Sequence, residues 1–96
     1  MIPGTTSKLS ESTVASTTSI DAKTDIVLVS GTEQIDTIVP HFGGGFSGLL
    51  VLVPIDGSVV LGTTGNISVG ITAVIDRAVF LVYSRAEGLW KINSGV

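Results

Sequence analysis

Apolar residues in this chain occur in short runs that turn-forming residues separate. From residue 25 to residue 92, runs rich in Val, Ile and Leu alternate with Gly, Pro, Asn and Asp. Several short β-branched runs bounded in this way are typical of an all-β fold. No window sustains the i, i+3, i+4, i+7 spacing of a helix, and residues 71–77 favour at most one helical turn. The predicted strands are residues 25–30, 33–39, 49–53, 58–61, 67–69, 78–83 and 88–92.

Two turn signals predict how neighbouring strands are joined. The dipeptide Asp56-Gly57 favours a type I′ hairpin turn, in which both central residues need a positive φ. Tyr83 and Trp90 flank residues 84–88, a second predicted hairpin loop. We therefore expect short antiparallel strands that form a small sandwich, a barrel or an interlocked β module.

The apolar runs also predict an oligomer. Most of the runs are nearly continuous rather than alternating, and continuous runs indicate strands that are covered on both faces. A chain of 96 residues has too little material to cover both faces of every strand. Between Phe42 and Ser84 the only formally charged residues are Asp56, Asp76 and Arg77. We expect sister copies to supply the missing cover, because large exposed apolar patches usually mark contact sites.

The first 19 residues differ in composition from the rest. They are mostly Ser and Thr, and their few apolar residues have no period. Such a segment buries too little surface to offset its ordering entropy. The sequence therefore predicts a disordered or extended N-terminal arm over residues 1–19 and a β domain over residues 20–96. Whether the arm orders on a partner is left open.

Charge and composition exclude several kinds of chemistry. The net charge of −3 argues against a partner held by phosphate neutralisation, so we expect no nucleic-acid partner. The longest apolar run is far shorter than a membrane span, and the start of the chain has no signal-peptide pattern. Cysteine is absent and His41 is the only histidine, so neither disulfides nor a zinc site are expected. We expect no membrane partner, no metal and no cofactor.

The segment HFGGGFSG, residues 41–48, contains a formal match to the dinucleotide fingerprint G-x-G-x-x-G. That motif works only where the glycine turn leads from a strand into a helix. Here Gly48 leads into an apolar, β-like run that ends at Pro54, so we interpret the glycines as a flexible turn. Phe42 and Phe46 then either pin this turn to the body or meet a neighbouring subunit. His41 lacks a nucleophile and an orienting group in a recognisable motif, so we expect no catalytic residues and no enzyme.

Four segments together resemble a known class of protein. Residues 31–38 (GTEQIDTI), 50–53 (LVLV), 65–67 (GNI) and 79–83 (VFLVY), followed by Trp90, are similar to small β modules of tailed-bacteriophage virion proteins. These modules occur in capsid decoration proteins and in tail fibres. The resemblance covers about residues 24–92 and implies an interlocked homotrimer without enzymatic activity. The module stands nearly alone behind a short arm, which favours a decoration protein over a fibre.

The sequence thus predicts a capsid decoration (cement) protein that trimerises and stabilises a phage head. It would be made in the host cytoplasm and reside on the capsid surface, bound to the major capsid protein or another virion protein. The predicted trimer contacts are Val51, Val53, Val60 and Phe80, and the predicted capsid contacts of the arm are Ile2, Leu9 and Val14. The alternative is a tail-fibre or spike tip that binds a host glycan near His41, Tyr83 and Trp90. A small hydrolase ranks last.

Overall fold

In the computed structural model, which describes residues 9–43 and 45–92, the chain forms nine short strands. The prediction of an all-β fold is confirmed, because no helix occurs among the described residues. The strands are β1 (Glu11–Ala15), β2 (Ser19–Asp21), β3 (Ile26–Ser30), β4 (Thr37–Val39), β5 (Gly48–Pro54), β6 (Val59–Leu61), β7 (Ile71–Ala73), β8 (Val79–Ser84) and β9 (Leu89–Ile92).

The largest sheet has five strands in the order β1-β3-β5-β8-β9. Strands β1, β3 and β5 run parallel, whereas β8 pairs antiparallel with both β5 and β9. Two smaller sheets are ribbons of two strands each, β2-β4 parallel and β6-β7 antiparallel. The prediction of antiparallel strands is therefore right for β5, β8 and β9 and for β6-β7, but wrong for the N-terminal half. In the N-terminal half, each strand pairs with one that is not its neighbour along the chain. Local turn signals do not predict such pairs.

The parallel pairing arises because the first six strands alternate between the large sheet and the ribbons. The chain passes from β1 to β2, returns to β3, crosses to β4, returns to β5 and crosses again to β6. A parallel bridge from Ile35 to Leu61 joins the approach to β4 with β6. One apolar core lies between the inner face of the five-stranded sheet and the ribbons; it includes Val27, Leu52, Leu81 and Trp90 from the sheet and Ile20, Ile38, Val59 and Leu61 from the ribbons.

The Ser/Thr-rich N-terminal region contributes to this fold. Strand β1 pairs with β3 over its full length, and Ser16 is buried where its hydroxyl accepts a hydrogen bond from the Glu33 backbone (2.8 Å). The predicted boundary between residues 19 and 20 therefore falls inside the folded region. The β domain includes Glu11, because backbone pairing along β3 compensates for the lack of a large apolar face. Residues 1–8 lie outside the described residues.

The predicted hairpin at Asp56-Gly57 is wrong. Strands β5 and β6 belong to different sheets, and neither Asp56 nor Gly57 has a positive φ. The Asp56 carboxylate instead accepts a hydrogen bond from the backbone N–H of Gly31 at 2.8 Å. Gly31 has a φ of 78° and lies so close to the Ser16 hydroxyl that a Cβ would clash. The Asp56 carboxylate thus holds Gly31, the residue of positive φ that follows β3. After Asp56 the chain crosses from the large sheet to the β6-β7 ribbon.

Two further local predictions differ from the structure, and one is confirmed. Residues 71–77 contain strand β7 rather than a helical turn, and residues 67–69 form only an isolated bridge through Ile67 and Trp90. The hairpin between β8 and β9 forms as expected, with Gly88 at a φ of 67°. Its strand ends pair Tyr83 directly with Trp90.

Asn66 joins the ribbon β2-β4 to the large sheet. Its side chain accepts a hydrogen bond from the Ile38 N–H (2.9 Å) and donates one to the Ile38 carbonyl (2.7 Å), as a neighbouring strand would. The indole N–H of Trp90 donates to the same carbonyl at 2.9 Å. The Trp90 backbone N–H donates to the Asn66 carbonyl at 2.7 Å. Asn66 therefore satisfies the buried backbone of Ile38 on the side of β4 that faces away from β2.

Replacing Asn66 by alanine should lower the free energy of unfolding by about 1–3 kcal/mol, because the buried Ile38 N–H loses its partner. Urea unfolding followed by Trp90 fluorescence measures the change. The matched control is Thr64→Ala in the same exposed turn, for which we expect a change within about 0.5 kcal/mol. Equal unfolding midpoints for Asn66→Ala and wild type would contradict the structural role of Asn66.

Candidate interaction surface

The side of the five-stranded sheet that faces away from the core carries a continuous set of apolar side chains, which we call the outer face. Successive residues of a strand point to opposite sides, so the buried positions of β3, β5 and β8 alternate with outward ones. The outer face consists of Ile26, Leu28, Leu49, Val51, Val53, Phe80 and Val82.

Strand register brings these side chains together. Val51 of β5 lies opposite Phe80 of β8 on one side and Ile26 of β3 on the other. Leu49 lies opposite Val82 in the next row of the sheet. Directly opposed residues on one sheet face contact each other, so the rows form one surface rather than isolated apolar spots.

Three residues of the outer face are exposed in the single chain, and the other four are half-buried. Leu49 is 68% exposed, Phe80 is 55% exposed and Val82 is 46% exposed. The outward positions of β3, β5 and β8 carry no ionisable side chain, whereas Glu11 on β1 and Lys91 on β9 flank them at opposite edges. A contiguous apolar surface with a polar rim is typical of an interaction site. Burial of the outer face against a partner would contribute about 25 cal/mol of favourable free energy for each Å² of apolar surface removed from water.

The structure brings three of the four predicted trimer contacts together. Val51, Val53 and Phe80 all belong to the outer face. Val60 lies on β6, points away from the core on the outside of the β6-β7 ribbon, and belongs to a different surface. The sequence did not single out Leu49 and Val82, because in a continuous apolar run the inward and outward positions look alike. Whether any of these residues contacts a sister copy stays a prediction.

The predicted arm contacts are separated in the structure. Leu9 is exposed, beside the outer face. Val14 is half-buried and packs against the core from β1, so it is not available as a surface contact. Ile2 lies outside the described residues.

A groove of about 570 Å³ lies at one end of the outer face. Its walls include Leu9, Leu49, Val51 and Phe80, and polar atoms come from His41 and Ser47. Its volume falls in the range of about 300–1,000 Å³ that ligand sites occupy. The groove is therefore large enough to receive an aromatic side chain.

The glycine-rich turn, residues 41–48, borders this groove. Phe42 turns inward and lies edge-on to Tyr83 and Trp90, with ring centroids 5.9 and 6.0 Å away. Gly48 is needed beneath the Phe42 ring, because a Cβ there would lie 2.6 Å from it. Gly48 also begins β5, so a strand rather than a helix follows the glycines, as the sequence predicts. The turn thus lacks the helix N-terminus that a dinucleotide phosphate requires.

The two phenylalanines of the turn differ in position. Phe42 pins the turn to the body, whereas Phe46 is 67% exposed. The aromatic residues considered for glycan stacking are also placed inside: Trp90 and Tyr83 are buried in the core, with their ring centroids 5.1 Å apart. They therefore present no ring face on which a sugar could stack.

His41 and Asp25 form a polar contact at the end of the groove. The His41 Nε2 atom lies 2.9 Å from Asp25 Oδ1, and the other carboxylate oxygen accepts hydrogen bonds from the Ser10 backbone N–H and hydroxyl at 3.3 Å. The Ser10 N–H is the largest cause of a lowered pKa at Asp25, and His41 adds to it, although burial opposes the shift. Asp25 thus ties the beginning of β1 to the beginning of β3.

Asp25 should stabilise the fold at neutral pH and lose this effect in acid. Because its pKa is lowered by folding from 3.8, its contribution is present above that value and disappears as the pH falls through the folded-state pKa. We expect Asp25→Asn to reduce the unfolding midpoint in urea at pH 7 and to flatten the fall of that midpoint below about pH 4. The control is Asp76→Asn at an exposed turn. An unchanged acid profile for Asp25→Asn would contradict this role.

The chain matches no protein-family model, no curated protein and no solved structure. In residues 9–43 and 45–92 there is no helix long and apolar enough to span a membrane. The same residues contain no group of three or more His, Cys, Asp or Glu side chains placed to hold a metal ion.

Proposed function

We propose that this chain is a non-enzymatic structural protein of a phage virion, a capsid decoration protein that assembles as a homotrimer through its outer face. The observation that carries the proposal is the exposed apolar side of the five-stranded sheet, centred on Val51, Phe80 and Leu49. The virion assignment itself rests on the sequence resemblance.

The arrangement of the sheet favours association through a face rather than an edge. At the β9 edge, both backbone polar groups of Trp90 are already paired, its N–H with Asn66 and its carbonyl with Ser68. At the β1 edge, the charge of Glu11 disfavours pairing with another strand. The outer face has neither obstacle.

The charges at the rim support contact between copies of the same chain. Glu11 lies at one edge of the outer face and Lys91 at the other. Copies arranged head to tail would bring the β1 edge of one close to the β9 edge of the next. Opposite charges then meet at the rim; because Lys91 is already paired with Glu87 at 2.8 Å in the single chain, this contact favours correct register more than it adds affinity.

A capsid role requires a second contact surface, and the N-terminal region supplies it in this proposal. Leu9 is exposed beside the outer face, and Ile2 precedes it in the sequence. These residues would contact the major capsid protein, whereas Val14 is withdrawn from the proposed contact because it packs against the core. The protein would be made in the host cytoplasm and end on the capsid surface. The glycan-binding alternative is less favoured, because Tyr83 and Trp90, the two aromatic residues that it requires, are buried in the core.

The solution mass tests the proposed assembly. We expect sedimentation equilibrium at micromolar concentration to give about 29 kDa, three times the chain mass of 9.8 kDa. Leu49→Lys places a charge on the outer face at the groove and should reduce the mass to that of one chain, because an unpaired charge would have to be buried. The matched control is Val69→Lys, an exposed valine outside the outer face, which should leave the mass unchanged. A wild-type mass near 9.8 kDa, independent of dilution, would contradict the trimer.

Binding to undecorated phage heads tests the virion role separately. We expect saturable co-sedimentation of the wild-type protein with purified heads that lack their decoration protein. Leu9 also lines the groove at the outer face, so Leu9→Ser is compared with wild type at concentrations at which both are trimeric, where it should still weaken the binding; Leu49→Lys should weaken both binding and trimerisation. A trimer that shows no saturable binding to such heads would leave the assembly standing and contradict the decoration role.

A further inference from the structure

We propose that Phe46 of one copy inserts into the groove of the next copy and anchors the contact between them. This inference rests on the proposed self-association and names the side chain that holds it together. Phe46 and the groove belong to neighbouring parts of one chain, so each copy offers both an anchor and a receptor for it.

The first observation is that Phe46 is presented away from its own chain. Its side chain is 67% exposed, and it does not form part of its own chain's groove. Around Gly43 and Gly45, which precede it, no atom lies within 4 Å of where a Cβ would be. This part of the turn therefore stands clear of the body. Phe46 is only partly covered by its own chain, whereas Phe42 already secures the turn on Tyr83 and Trp90.

The second observation is the chemistry of the groove. Its walls are the exposed apolar side chains Leu9, Leu49 and Phe80, and its volume of about 570 Å³ exceeds what one phenyl ring needs. Ser47 and Gly48, the residues directly after Phe46, form one end of it. Anchor and groove are thus part of the same surface as the outer face. Buried aromatic anchors in pockets near the centre of an interface carry most of the binding energy in protein contacts.

The third observation concerns symmetry. Because anchor and groove lie on one surface, two copies could exchange anchors about a twofold axis, or each copy could fill the groove of the next head to tail; the proposed trimer requires the head-to-tail arrangement. Such contacts close into a ring when the rotation between copies permits it. A ring of three copies would use every anchor and fill every groove, which agrees with the proposed trimer.

The test compares the association constants of wild type, Phe46→Ala and Phe46→Tyr. We expect Phe46→Ala to weaken self-association at least about thirtyfold, as loss of an anchor does, and Phe46→Tyr to stay within about threefold of wild type. Val69→Ala, which truncates an exposed residue elsewhere, is the control and should change nothing. Urea unfolding of each variant at low concentration confirms that the fold of the single chain is intact.

Engineered cysteines locate the contact, since the chain has none of its own. Phe46→Cys and Leu9→Cys are prepared separately, mixed and mildly oxidised. We expect a disulfide-linked heterodimer in higher yield than from the control mixture of Val69→Cys and Leu9→Cys. That result would place the turn of one copy at the groove of another.

The outcomes separate this inference from the proposed assembly. If wild type associates but Phe46→Ala associates equally well, the anchor is overturned and the trimer remains. If Phe46→Ala loses binding to phage heads but not self-association, Phe46 contacts the capsid protein, and the inference is again overturned. If wild type is monomeric at every concentration, the proposed assembly fails and the anchor fails with it.

Discussion

The structure depends on the burial of only one side of its five-stranded sheet. Every second residue of β3, β5 and β8 packs into the core beneath the ribbons, and the residues between them face outward. In most antiparallel sheets with one wet face, the outward residues are polar. Here the outward residues of these three strands are almost all Val, Ile, Leu or Phe. The core needs only one of the two apolar faces; the other contributes cross-strand contacts within the sheet but is covered by no second layer among the described residues.

The ribbons can cover the inner face because specific polar groups replace the backbone pairing that short strands lack. Strand β4 has three residues, and the Asn66 side chain pairs with its central residue, Ile38, as a further strand would. The indole N–H of Trp90 donates a hydrogen bond to the Ile38 carbonyl and so connects β4 to the large sheet. The Trp90 ring contacts Tyr83 and Phe42, and Phe42 holds the glycine-rich turn. A continuous path of contacts thus leads from the ribbon to the turn that carries Phe46.

The sequence predicts the strands and the hairpin that depend on local residue patterns. It does not predict the pairing between strands that are distant along the chain. Strands β3, β5 and β8 follow from their apolar runs, and the hairpin at Gly88 follows from its turn residues. Strand β1 could not be predicted in this way, because its Ser and Thr residues become a strand only by pairing with β3, fifteen positions along the chain in register. Asp56-Gly57 is a hairpin signal, yet the chain crosses there between layers, because the partner of Asp56 is Gly31. Period-two alternation could not separate Leu49 from Leu50, since both are leucines, so the outer face emerged only from the structure.

The polar composition of the N-terminal strands has a physical explanation in the same architecture. Among the described residues, β1 and β2 are each paired with a strand on one side only, whereas β3 is paired on both sides. In stacked folds, a polar terminal unit protects the apolar interior and prevents addition of further copies at the end. Ser12 and Thr13 thus make the end strand β1 polar, and Glu11 adds a charge there. The apolar outer face that lies between the β1 and β9 edges is then the surface best suited to association.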